Sequence, residues 1–147
     1  MDSSTDARAL NYKTAWLYCL LVQVRDDAPE DIQRTVAQVI PICLEQHGLV
    51  FDMMASIQLV AFGKIFRAGD GIPVEEFHHK SRTACTELLT TLGSKVKIVA
   101  FSGDISHGNI GGEGRFNCTI LVPKFDRVLT ALLNTEFGCM TDLGSLP

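Results

Sequence analysis

The 147-residue sequence has no basic excess, no membrane-length apolar run and no closely spaced cysteine pair. Each absence closes a class of function. Thirteen Lys and Arg stand against seventeen Asp and Glu, for a net charge of -4. That balance provides no electrostatic footprint for nucleic acid or an anionic membrane. The longest apolar stretches, 15–24 and 56–63, fall well short of the roughly 20 residues that cross a bilayer, so no membrane insertion is expected. The first thirteen residues, MDSSTDARALNYK, lack a basic segment followed by an apolar one. They read as a polar lead-in rather than a secretory leader. Aromatic residues make up only 7% of the chain.

The five cysteines, Cys19, Cys43, Cys85, Cys118 and Cys139, are odd in number and scattered. No CxxC or Cys/His spacing suits zinc, so no metal site and no cofactor is expected. Cys19 and Cys118 fall in predicted strands, Cys43 and Cys85 in predicted helices. They read as small buried apolar side chains in a reducing compartment, which places the chain in the cytoplasm.

What is present is one domain's worth of ordinary globular sequence, 46% apolar and 20% charged. Residues 15–24, AWLYCLLVQV, form a near-continuous apolar run typical of a strand covered on both faces. Asp27 then offers an N-cap and Pro29 a first helical turn. Ile32, Val36, Val39, Ile40, Cys43 and Leu44 recur at helical spacing. Pro41 removes a backbone donor within that stripe, which predicts a kink or break, and Gly48 is placed to cap the end. Residues 49–53 and 56–63 read as a tight antiparallel hairpin turning at Met54-Ala55. A loop over 64–73 contains Gly69-Asp70-Gly71. Residues 74–92 form a second helix with Phe77, Ala84, Leu88 and Leu92 on its buried face, ended by Gly93. A strand over 96–102, a glycine-rich hairpin, a strand over 116–122 and a helix over 126–134 follow. Residues 14–137 thus make one domain, and 138–147 reads as a tail.

The order βαββαβ, with a further strand and helix, predicts an α+β fold: a ferredoxin-like two-layer sandwich with its helices on one face of the sheet. Three blocks then carry a resemblance. Residues 20–28, LLVQVRDDA, resemble the first strand of class III nucleotidyl cyclase catalytic domains, LFADIRGFT. Residues 45–63, EQHGLVFDMMASIQLVAFG, resemble that family's second hairpin, and residues 96–133 its glycine hairpin and the segment beyond. The chain stops soon after the last helix, so the resemblance is to a domain shortened at its C-terminus.

The resemblance implies adenylate or guanylate cyclase chemistry, in which two aspartates hold two divalent ions at a site formed between two subunits. Here those aspartates align with Gln23 and Ser56, which bring no negative charge. The purine-selecting lysine aligns with Asp52, the second purine contact with Pro123, the transition-state asparagine with Asp126 and the phosphate-binding arginine with Thr130. A carboxylate at Asp126 repels a polyphosphate instead of stabilising it. The expectation is a degenerate domain that is not an enzyme.

Other patterns yield less. The glycines from Gly103 to Gly114 are flanked by strand patterns, so a hairpin that reaches toward a partner subunit is expected rather than a phosphate loop. His78 and His79 point about 100° apart on a helix and cannot readily share a metal. Asp104 and His107 lack a nearby nucleophile. Glu75-Glu76 and Asp26-Asp27 read as solvated helix starts.

The leading expectation is a homodimeric, non-catalytic interaction or regulatory module, open to a protein partner. The alternative is a small-molecule sensor whose groove is lined by Gln23, Ser56 and Asp126. A partner subunit of an active cyclase is the third reading.

Overall fold

A computed structural model describes residues 12–25, 28–54, 56–65, 70–112 and 115–146. The side chains of 12 and 109–119 lie outside that description. So do the lead-in up to residue 11, the Asp26-Asp27 pair, Ala55 of the hairpin turn, Gly69, and Glu113 and Gly114 of the glycine segment.

The elements are β1 (Tyr12–Val24), α1 (Pro29–Glu45), β2 (Leu49–Met54), β3 (Ile57–Phe62), α2 (Val74–Leu92), β4 (Val96–Gly112), β5 (Arg115–Leu121), α3 (Phe125–Asn134) and β6 (Met140–Ser145). The sheet order is β2-β3-β1-β4-β5, with β6 pairing alongside β4. The first four strands and two helices form the expected ferredoxin-like α+β core. β1 is its centre, antiparallel to β3 from Tyr18 to Gln23 and to β4 along its whole length. This explains the unbroken apolar run: Leu17 to Val22 include five residues at 1% exposure or less, on both faces.

Alternation along the strands divides the core in two. Leu20, Val22, Val60, Phe62, Ile98 and Ala100 meet α1 and α2 on one face. Leu17, Cys19, Leu21, Leu59, Val99 and Phe101 form the other face, where Val128 and Leu132 of α3 pack. The helices therefore do not all share one face. α1 and α2 cover one side of the sheet, and α3 lies on the opposite side.

Several local expectations change. The N-cap position of α1 is Ala28, with no side-chain cap, followed by Pro29 in the first turn. α1 runs through Pro41 without a break, because Val39 and Cys43 on either side of it are both fully buried. Its end turns at His47, whose φ is 64°. Gly48 serves a different need, since a Cβ there would stand 2.6 Å from the Phe62 ring. α2 ends, as expected, at Gly93, whose φ is 55°.

The glycine-rich segment is mostly strand. β4 continues to Gly112 and pairs with β5 from Ser106 to Gly112. The expected tail is also structured. Met140–Ser145 forms β6, parallel to β4 from Ile98 to Ser102. Gly138 N–H donates to the Val96 carbonyl at 2.7 Å, and Leu146 N–H to that of Ser102 at 2.7 Å. The parallel pairing depends on α3, which carries the chain back along the sheet. No helix among the described residues is long and apolar enough to cross a membrane.

Candidate functional site

The residues assigned to the two metal positions come together at one corner of the sheet. Gln23 is the penultimate residue of β1 and pairs with Ile57 of β3 and Lys97 of β4. Ser56 sits in the turn before Ile57, and its carbonyl accepts from Val24 N–H at 2.8 Å. Both are half-buried. The fold thus brings together the two positions that the resemblance assigns to metal-binding aspartates.

Its electrostatics run the other way. Lys97 shares the Gln23 face of the sheet, is only 8% exposed, and holds its Nζ 5.0 Å from the Phe137 ring centroid. Arg25, one residue beyond β1, brings its guanidinium carbon to 4.8 Å from the same ring. The negative ring face favours both cations. Arg25 is held further by its Nε, which donates to the Ser94 carbonyl at 3.2 Å. Cross-strand neighbours lie about 5 Å apart at Cβ, so among the described residues the Lys97 ammonium stands beside two neutral side chains. The two divalent ions implied by the resemblance do not fit this set, because they need carboxylate oxygens and Lys97 opposes them. No group of three or more metal-ligating side chains occurs among the described residues.

Asp126 lies elsewhere. It is exposed on the first turn of α3, which follows β5. β5 ends at Leu121, the partner of Ser106. Ser106 is nine residues, on the order of 30 Å, along β4 from Lys97. Gln23 and Ser56 therefore meet within the chain, and Asp126 does not join them. Thr130 Oγ1 donates to the Asp126 carbonyl at 2.8 Å, which ties it to the helix backbone. Pro123 borders a small hollow of about 160 Å³ with Asp104 and Leu146.

The remaining motifs are structural. His78 stacks on Tyr18 at 5.0 Å between centroids, and its Nε2 accepts from Arg82 Nε at 3.3 Å. Arg82 also pairs with Asp142 of β6, which pins α2 to that strand. Burial would raise the Asp142 carboxyl, but the Gly144 N–H, Arg82 and His78 outweigh it and hold it below its ordinary value. Asp104 and His107 are three apart on a strand and so point to opposite faces. Burial, with Lys13 adding to it, lowers His107. Burial raises the Cys19 thiol and pushes Cys43 up to about 12 and Cys85 to about 11. None is poised as a nucleophile.

Two buried polar residues, Lys97 and Gln58, carry little signal in the sequence. Lys97 hides in an apolar run, 96–101, where a lone charge was the available signal. Gln58 is the one amide inside IQLVAF and is only 2% exposed.

No family model matches the sequence, and no curated protein matches it. Solved structures do. The guanylyl cyclase Cya2 superposes with a TM-score of 0.58 at 16% identity, over 87% of this chain and 74% of that one. The catalytic core of a rhodopsin-guanylyl cyclase with converted specificity, in complex with ATPαS, superposes with a TM-score of 0.68 at 8% identity, over 89% and 79%. A non-canonical dimeric guanylyl cyclase domain from the aquatic fungus Blastocladiella emersonii gives 0.67 at 8%, over 87% and 79%. At these identities the likeness is one of fold.

Proposed function

We propose that this chain is a non-catalytic cyclase-homology module that acts by self-association. One observation carries the reading: Gln23 and Ser56 converge at the corner where a cyclase needs two carboxylates, and Lys97 stands beside them. Phosphoryl transfer depends on positioned metal ions, and Gln23 and Ser56 offer no carboxylate to hold them. The other assigned positions, Asp126 and Thr130, offer a carboxylate and a backbone-bonded hydroxyl in place of an amide and a guanidinium.

Self-association draws support from the wide separation of Asp126 from Gln23. A cleft holding both sets of positions needs a second copy, and one guanylyl cyclase domain of like fold is described as a non-canonical dimer. Large apolar side chains are also left exposed, with Leu133 of α3 at 75% and Leu121 of β5 at 49%. Unpaired buried thiols at Cys19, Cys43 and Cys85 fit a cytoplasmic setting.

Sedimentation velocity across micromolar concentrations tests the reading. A dimer unchanged by GTP or ATP with Mn²⁺ is expected. A monomer throughout would overturn the self-association role, and cyclic nucleotide made only on mixing with an active cyclase domain would favour the partner-subunit role.

A further inference from the structure

The sheet face opposite Gln23 carries a cleft of about 520 Å³ between α1 and the β2–β3 hairpin. Its size is that of small-molecule sites. Ile32 and Val36 of α1 border it on one side, and Met53 and Met54 on the other. The pairing of β2 with β3 shifts between Asp52 and Met54, and a bulge of this kind lets consecutive side chains border one space. Methionine adapts readily to varied apolar shapes, and Met54 is 57% exposed here.

Three polar side chains also border the cleft, Gln33 of α1 and, on the hairpin, Gln58 and Asp52. Gln58 lies on the α1 side of β3, the same side as Val60 and Phe62. Its residue is 2% exposed, and its Oε1 is fully buried with no hydrogen-bond partner among the described residues. A buried acceptor left unmatched carries a desolvation cost, which an incoming donor relieves. Asp52 is the register partner of Gln58 and is exposed at the cleft. Among the described residues no lysine or arginine lines the space.

We propose that this cleft binds a small, mainly apolar molecule carrying a cationic N–H group, an amine or amidinium. Its apolar body lies against Ile32, Val36, Met53 and Met54. An N–H donates to Gln58 Oε1, and the positive charge faces Asp52. An anion finds no counter-charge here, and a nucleoside polyphosphate meets the Asp52 carboxylate. The cleft opens on the sheet face opposite Gln23, and its binding does not depend on self-association.

Benzamidine is a suitable probe, with benzoate as its anionic counterpart of similar shape. Methionine methyl NMR spectra of the full chain read the cleft at Met53 and Met54, while Met140 on β6 serves as an internal reference. Benzamidine should move the Met53 and Met54 signals saturably, and benzoate should leave them in place. Gln58→Leu should weaken benzamidine by about tenfold, while raising the melting temperature because the unmatched acceptor is gone. Asp52→Asn should weaken it severalfold with the fold unchanged. Equal affinity in the Gln58→Leu protein would overturn the assignment, as would equal binding of benzoate. So would movement of the same signals by Mg²⁺–GTP, or signals that follow protein concentration and ignore benzamidine, which would mark the cleft as a contact between copies.

Discussion

Gln23 on β1 stands directly across from Lys97 on β4. The resemblance assigns a metal-holding carboxylate to the Gln23 position, and this sheet pairs that position with a nearly buried lysine.

Restoring carboxylates tests that statement. The unaltered chain should show no change of melting temperature with Mn²⁺. The Gln23→Asp/Ser56→Asp protein should gain a Mn²⁺-dependent rise, larger when Lys97→Gln is added. Thermal melts with and without Mn²⁺ give the measurement. A Mn²⁺ effect on the unaltered chain would show that other residues hold metal.

The Arg82–Asp142 pair links α2 to β6. Asp142 is held below its ordinary carboxylate value of 3.8. A depressed carboxyl adds stability that is fully present above that value and is lost as pH falls through the folded value. Both side chains are substantially exposed, so the contribution is about 0.5–1 kcal/mol. Asp142→Asn should therefore lower the melting temperature by about 1–3 °C at neutral pH. The gap should close in strong acid.

Gly48 is required by packing. Its Cβ position lies 2.6 Å from Phe62 and 2.9 Å from Val60, both buried. Gly48→Ala should cost about 1–3 kcal/mol in urea unfolding, the range for overpacked cores.

Pro41 lies inside a continuous α1, on its exposed side. A helix-interior proline forgoes a hydrogen bond and crowds the preceding turn. Pro41→Ala should stabilise the chain by about 1–2 kcal/mol, once the greater freedom of the unfolded alanine chain is subtracted. A loss of stability would mean that the proline-containing geometry is what seats Val39 and Cys43.

Much of this fold is written in local pattern. α2 is legible from end to end because Phe77, Ala84, Leu88 and Leu92 keep helical spacing and Gly93 stops it. β1 is legible because a strand buried on both faces must be apolar throughout. β6 is not, because MTDLGS has a weak apolar pattern and gains its place from pairing with β4 some forty residues earlier. The face taken by α3 is likewise set by chain return across the sheet. At the site, proximity of Gln23 and Ser56 follows from the β1 end and the hairpin turn. The separation of Asp126 follows from the seventeen-residue length of β4, of which the sequence pattern reveals only the first seven residues. Gln58 and Lys97 were overlooked because each is a single polar residue within an apolar run, where burial on that face decides its meaning.

The most direct measurement is product formation by the purified chain, with ATP or GTP and Mn²⁺ across micromolar protein concentrations, read by mass spectrometry. The account predicts no cyclic AMP or cyclic GMP above a protein-free control. Cyclic nucleotide that scales with protein concentration would contradict it, and would require a metal site that does not rest on Gln23 and Ser56.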